Sequence, residues 1–368
     1  MPIDELPPEV CDRIAHFAPT WPSLVALSAT SRAFQRASEP RIYQTVHLTS
    51  PLPALGAFRT LASTPRVAAL VRTFWLSLER APHQPYPPAL PTDWWTALRD
   101  ALAAVHGVTT LVLVDPRQAN SWVLDPARVR LPALRDARLR LGWSAETVAF
   151  LAAHPTLRSL SLPVNPQQIL QDAQPAALSR DALPALQMFD GPLRVATELV
   201  PGPSPLTHLQ VLCGAPGLEE PLVRWMPKLG GLSKTLRSLS ILGLSHAAAE
   251  RVMELAVTHC PQLVHLGMIS LPVDSRNAFH RRLTRLGSLQ QLEVDITYWK
   301  PPPNGPYQRA LAMELRTFCP TLRNVVFWLE HHRFWWSLEE DVPGEPEIWL
   351  DEHLQHRNPL QETFWKMC

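Results

Sequence analysis

The feature that most constrains this chain is a short apolar motif that returns along most of its length. It reads Val71-x-x-Phe74-x-Leu76, Val108-x-x-Leu111-x-Leu113, Leu134-x-x-Ala137-x-Leu139, Leu157-x-x-Leu160-x-Leu162 and Leu206-x-x-Leu209-x-Val211. It continues as Leu236-x-x-Leu239-x-Ile241, Leu263-x-x-Leu266-x-Met268, Leu289-x-x-Leu292-x-Val294 and Leu322-x-x-Val325-x-Phe327, with a weaker copy at Leu186-x-x-Phe189. Neighbouring copies start about 20 to 37 residues apart. Apolar residues two apart predict a strand with one face turned inward. Between copies the spacing changes to three and four. Trp95, Leu98, Leu102 and Val105 follow Thr92; Val148 and Leu151 follow Ser144; Val252, Leu255 and Ala256 follow Ser245. These predict helices opened by hydroxyl caps, and Leu311, Leu315 and Phe318 predict another.

Strand then helix at a near-fixed period predicts a stack in which each unit hides its apolar edge against its neighbours. The period is similar to that of leucine-rich repeats. The turns His154-Pro155-x-Leu157, Cys260-Pro261-x-Leu263 and Cys319-Pro320-x-Leu322 resemble the cysteine-containing repeats of leucine-rich F-box proteins, and the resemblance implies a structural role for Cys260 and Cys319. Residues 163 to 205 fit the period worst and are expected to form irregular connections. The 39 prolines punctuate apolar runs, so they mark loop ends, with Pro82 to Pro91 and Pro301-Pro302-Pro303 expected as extended, mobile insertions.

Ahead of the repeats, Leu6, Val10, Ile14 and Phe17 fall on one helical face. Pro7 and Pro8 suit the first turn, and Pro19 is expected to stop the helix near Ala18. A second helix is expected after a Ser23 cap, with Leu24, Leu27 and Val25 buried, and a third from Thr30 or Ser31 through Phe34 and Ala37 to a stop at Pro40. Ile42, Val46 and Leu48 then read as a strand running straight into the repeats. Three such short helices hide too little apolar surface to stand alone.

Leu6-Pro7-x-Glu9-Val10-x-x-x-Ile14, Leu24-x-x-Leu27-Ser28 and Ser31-Arg32-x-Phe34, with the Arg41-Ile42-Tyr43 exit, resemble the F-box. The resemblance implies docking on a Skp-family adaptor and through it on a cullin scaffold with a ubiquitin-conjugating enzyme. It assigns the adaptor interface to Leu6, Pro7, Ile14, Leu24 and Leu27, with Phe34 in the inner packing. Cys11 and Ala18 are smaller than the leucine-like residues usual at such places, a departure expected to weaken docking.

A formal net charge of +1 provides no global field for nucleic acid or an anionic membrane, and Arg281, Arg282 and Arg285 read as a solvated helix face. The five cysteines lack metal spacing, and no apolar run resembles a signal peptide, which points to the cytosol or nucleus. No apolar segment approaches the roughly twenty residues that span a bilayer. Cys368, as the last residue, leaves no room for a prenylation box. Phosphate loops, zinc spacings, nucleophile elbows and dinucleotide fingerprints are missing, so no cofactor and no catalysis are expected. His331-His332 reads as a surface pair without further ligands at metal spacing.

In each repeat strand the third and fifth positions are expected to face a concave sheet. They include Thr73 and Trp75, Asp136 and Arg138, Ser159 and Ser161, His208 and Gln210, Ser238 and Ser240, His265, Gln291 and Glu293, and Asn324. This mostly small, polar set suits a protein ligand, with Trp75, Arg138, His208 and Glu293 as the expected contacts. From Glu330 onward Phe334-Trp335-Trp336, Trp349 and Trp365 join the acidic Glu339-Glu340-Asp341; they read as a cap on the last repeat or as an aromatic grip on a target. The expectation is an α/β protein, with a three-helix F-box (1–48), an irregular leucine-rich-repeat solenoid with a curved parallel sheet (49–330) and a C-terminal cap (331–368). Its expected role is that of the receptor subunit of a ubiquitin ligase for an unknown protein substrate. The alternative is a scaffolding protein whose F-box has lost its adaptor.

Overall fold

The computed structural model describes residues 6–78, 90–163, 177–179, 181–200, 205–213, 219–330, 332–342 and 345–350, the side chains of residues 339–350 excepted. Contacts divide the chain into two compact units, one of Met1–Leu162 with Gln174–Leu178, the other of Pro163–Ala173 with Ser179–Cys368.

The first unit opens with three packed helices, α1 (Pro8–Phe17), α2 (Trp21–Ser28) and α3 (Arg32–Tyr43). Pro8 sits in the first turn of α1, where a missing N–H is harmless, and the chain leaves at Ala18 in an extended conformation ahead of Pro19. Thr20 caps α2, its Oγ1 accepting from the Ser23 amide at 3.3 Å. The expected Ser23 cap is therefore displaced: Pro22 fits the first turn, so the helix begins before it. Ser31 caps α3 as expected, accepting from the Phe34 amide. Pro40 does not end that helix. It lies in the last turn, its carbonyl still accepts from the Gln44 amide, and the extra residues bury Ile42. Ile42 thus belongs to α3, and the following strand β1 is only Thr45–Leu48.

Strand–helix units follow, through α4 (Pro51–Ser63), α5 (Pro65–Ala68), β2 (Thr73–Ser77), α6 (Trp94–Ala104), β3 (Thr110–Val114), a short 3-10 helix (Ser121–Leu124), β4 (Asp136–Arg140), α7 (Ala145–Ala152) and β5 (Ser159–Ser161). The strands pair in parallel with no register slip, Thr45, Thr73, Thr110, Asp136 and Ser159 lying side by side. A backbone fork recurs where each strand begins. The carbonyl of Gln44 accepts from the amides of both Arg72 and Thr73, that of Arg72 from Thr109 and Thr110, and that of Thr109 from Arg135 and Asp136. The motif leucines fill the core, with Leu111, Leu134 and Leu157 fully buried. Ser144 caps α7 as expected, but Thr92 does not cap α6. Asp93 precedes that helix, and its carboxylate reaches across to Arg59 on α4 at 2.7 Å.

The second unit repeats the scheme. It contains β6 (Met188–Pro192), α8 (Leu193–Leu199), β7 (His208–Leu212), α9 (Glu220–Trp225), β8 (Ser238–Leu242), α10 (His246–His259), β9 (His265–Ser270), α11 (Arg276–Leu283), β10 (Gln291–Asp295), α12 (Gly305–Phe318) and β11 (Asn324–Leu329). Strands β6 to β11 are parallel neighbours in chain order. The weak copy at Leu186 is a full member, since β6 pairs along the whole of β7. Ser245 caps α10, and Asn304 caps α12 directly after the three prolines, with Pro303 buried and its carbonyl accepting from the buried Gln308. Most of Pro82 to Pro91 lies outside the described residues. Beyond β11 the direction reverses: β12 (His332–Val342) runs antiparallel along β11, and β13 (Glu345–Leu350) antiparallel along β12. The C-terminal segment thus occupies the edge of the last parallel strand, with Trp335 and Trp336 buried on alternate sides. Trp365, Cys368 and His331 lie outside the described residues. No described helix is long and apolar enough to cross a membrane.

Candidate docking surfaces

On α1 the small residues face in and the large ones face out. Cys11 and Ala15 of α1 are buried against Phe34 and Ala37 of α3, with Leu6, Leu24, Leu27 and Ala33 packed around them. Small side chains let α1 approach α3 closely, and this turns the large apolar side chains of α1 away from the interior. Val10 (39% exposed), Ile14 (41%) and Phe17 (70%) stand outside, joined by Trp21 (61%) and Val25 (38%) of α2. A shallow groove of about 700 Å3 is lined by Glu9, Val10, Arg13, Ile14, Phe17, Ala18, Pro19, Ser23 and Leu27.

The five residues assigned by resemblance therefore separate. Ile14 and Pro7 are exposed, and Leu27 both leans on the interior and lines the groove. Leu6 and Leu24 are half-buried in the packing of the three helices themselves, and the buried Cys11 thiol touches the Leu6 carbonyl. Cys11 is fully enclosed, so its side chain is not part of the outer surface of α1. Val25, expected to be buried, is exposed, and the spacing does not mark Phe17 and Trp21 as exposed groups either. The signal available was the pairing of Cys11 and Ala15 at a four-residue step, a small-residue stripe that marks the inner face of α1.

Two of the expected target contacts lie in the first unit. Trp75 and Arg138 share one row of the sheet, on either side of Val112. Two strand spacings, about 10 Å, separate their backbones. Trp75 is half-buried and meets His47 of β1 edge to face, ring centres 5.3 Å apart. Val112 is 5% exposed, so the row is a shallow floor with an aromatic at one end and a guanidinium at the other.

The other two lie in the second unit and are already engaged. His208 is half-buried beside the Thr207 hydroxyl, 2.8 Å from its Nδ1. Glu293, expected on an open face, is enclosed. One of its oxygens lies 3.0 Å from His265 Nε2, and the other accepts from the Trp328 indole at 2.7 Å. His265 Nδ1 in turn meets Ser238 Oγ at 2.8 Å. Burial pushes the Glu293 carboxyl up, but the hydrogen bond and charge of His265, the indole and the Arg333 guanidinium together hold it below the ordinary carboxylate value. Arg333 sits over both Trp328 and Trp335, about 6 Å from each ring centre. Ser238, His265 and Glu293 have the residue types of a hydrolytic triad, yet Ser238 and His265 are fully enclosed, so no substrate carbonyl reaches the hydroxyl. The chain of contacts ties β8, β9, β10 and β11 to one another instead.

Three further cysteines among the described residues are also turned inward. Burial pushes the Cys260 thiol up to about 12, and Cys213 likewise, first by burial and then by the nearby Glu219. Cys319 is raised by burial, and its Sγ faces the carbonyls of Leu286 and Leu289. Arg282 and Arg285 are not a free basic face: both hold Glu254 of α10 at 2.9 Å, and these two bonds keep its carboxyl below the usual range. No group of metal-binding side chains exists among the described residues. Compared with protein-family models and with curated proteins, the sequence has no significant match.

Proposed function

We propose that this chain is the substrate-recognition subunit of a Skp-cullin-F-box type ubiquitin ligase, its N-terminal helices docking on a Skp-family adaptor and its repeats holding a target protein. The reading is carried by one observation: the three helices form a finished small interior around Cys11, Ala15, Phe34 and Ala37, yet leave Val10, Ile14, Phe17, Trp21 and Val25 in solvent beside a groove. Contiguous exposed apolar groups on a folded surface mark a site for another polypeptide. The resemblance of the motif spanning Leu6 to Phe34 to the F-box names that polypeptide. The chain itself makes and breaks no bonds in this role. It raises the local concentration of the target's lysines near a conjugating enzyme carried by the cullin. Its place is the cytosol or nucleus, where the thiols of Cys11, Cys213, Cys260 and Cys319 stay reduced.

Co-purification with a Skp-family adaptor and cullin tests the reading. The variant of choice is Val10→Asp with Ile14→Asp, because both side chains are exposed, whereas Leu6 and Leu24 support the fold. Wild type should retain the adaptor and the double variant should lose it at an unchanged melting temperature. Absence of adaptor from both samples would favour the scaffolding alternative.

A further inference from the structure

Helix α3 serves two interiors at once. Phe34 and Ala37 point into the three-helix packing, while Ser38, Glu39 and Ile42, on the following turns, are buried as the helix runs into β1 and the first repeat. Glu39 is the unusual member, a carboxylate 6% exposed in a shell that provides two partners. The Gln35 amide, one turn earlier on α3, donates to Oε1 at 2.7 Å. The Arg66 guanidinium, from α5 of the first repeat, grips both oxygens in a fork, Nη2 on Oε1 at 3.0 Å and Nη1 on Oε2. A two-point fork fixes direction as well as distance, which a single contact does not. A buried carboxylate also resists release, because letting go of the arginine leaves a charge without its counter-ion.

We propose that Glu39 and Arg66 lock the three helices onto the first repeat, so that the α1–α2 groove and the β1–β5 sheet move as one rigid body. Glu39 is a positioning residue, touching no partner itself. If the groove takes an adaptor and the sheet a target, as proposed above, the lock sets the distance at which the target is presented; the lock itself does not depend on that reading. With Arg66 removed, α3 loses its charged tie to α5, and the packing around Ser38 and Ile42 is left to hold it at its short junction with β1, where only Gln44 separates helix from strand.

A distance distribution between spin labels tests this on the full chain alone. Labels go on Asp12→Cys in α1 and Asp100→Cys in α6, both exposed, in a Cys368→Ser background. Wild type should give one narrow peak; Arg66→Gln and Glu39→Gln should each give a peak roughly twofold wider at unchanged helix content, as expected for a released hinge. Arg66→Lys, which keeps the charge without the fork, should fall between. A folded Arg66→Gln protein with the wild-type width overturns the proposal. Should Arg66→Gln lose its helices, Glu39→Gln, which leaves no buried charge, decides by the same criterion. Adaptor co-purification of the same variants is a separate readout: its failure with a narrow wild-type peak refutes the ligase reading and leaves the lock standing.

Discussion

At the scale of single residues, the turn before β5 shows how one position accepts chemically different side chains. His154 stands where Cys260 and Cys319 stand in later repeats, and like them it is buried. Its Nδ1 lies 2.6 Å from the Phe150 carbonyl and its Nε2 accepts from the Leu131 amide at 3.0 Å, so the neutral tautomer with the proton on Nδ1 satisfies both backbone groups. Burial holds its pKa below 6.5, only partly opposed by the Phe150 carbonyl. A depressed imidazole pKa means that the unfolded chain binds the proton more readily, so the stability this site provides is complete above about pH 6.5 and is lost as pH falls through the folded value. His280 is shifted the same way, also first by burial, and contributes in the same direction. Urea midpoints measured between pH 7.5 and 5 should therefore fall for wild type and fall less for His154→Cys, which installs the side chain used at the sister turns. Two glycines give a paired test. A Cβ on Gly267 would lie 2.9 Å from His265 Cε1 and 3.0 Å from Ser240 Oγ, whereas one on Gly56 meets nothing within 4 Å. Gly267→Ala should destabilise by about 1–3 kcal/mol through overpacking. Gly56→Ala, on the exposed side of α4, should stabilise by about 0.5–1 kcal/mol. Denaturant titration reads both.

At the scale of elements, strands were more legible than helix ends. Alternation two apart survives because every inward position of β2, β4 and β7 is buried and every outward one is half-exposed. Helix ends were set by groups that sequence spacing does not rank: Thr20 took the cap from Ser23 because Pro22 fits a first turn, and Pro40 was absorbed because burial of Ile42 rewards one more turn. The outward positions were the hardest to read. Glu293 occupies an outward position like Trp75, but His265, Trp328 and Arg333 converge on it from β9, β11 and β12, and nothing in local spacing announces contacts between residues this far apart in the chain, 28 for His265 and 35 for Trp328. Trp328 provides the closing donor of that chain. Trp328→Phe keeps the ring and removes one hydrogen bond to a charged acceptor, a loss of about 1.5–3 kcal/mol. Hydrogen exchange should quicken in β10 and β11 of this variant while β2 to β4 keep their protection.

At the scale of the whole molecule, the two proposed docking surfaces are built from separate residues. The groove residues Val10 and Ile14 are exposed on α1 and take no part in the buried cluster of Cys11, Ala15, Phe34 and Ala37, and the Trp75 and Arg138 side chains rise from the sheet of the same unit without entering its core. Each surface can therefore be damaged without unfolding the other. A buried valine or isoleucine contributes about 1.5–3 kcal/mol, and 1.4 kcal/mol is tenfold in affinity. Replacing both groove residues by aspartate should then weaken adaptor docking by at least about a hundredfold, since an uncompensated carboxylate adds to the lost apolar contact. Trp75→Ala with Arg138→Ala should leave docking intact and reduce the set of proteins captured by proximity labelling under proteasome inhibition. The two double variants should fail in opposite ways: adaptor lost with targets kept in the first, adaptor kept with targets lost in the second. If Val10→Asp with Ile14→Asp also empties the target list at a wild-type melting temperature, target holding requires the groove, and a receptor with two independent surfaces is the wrong description of this chain.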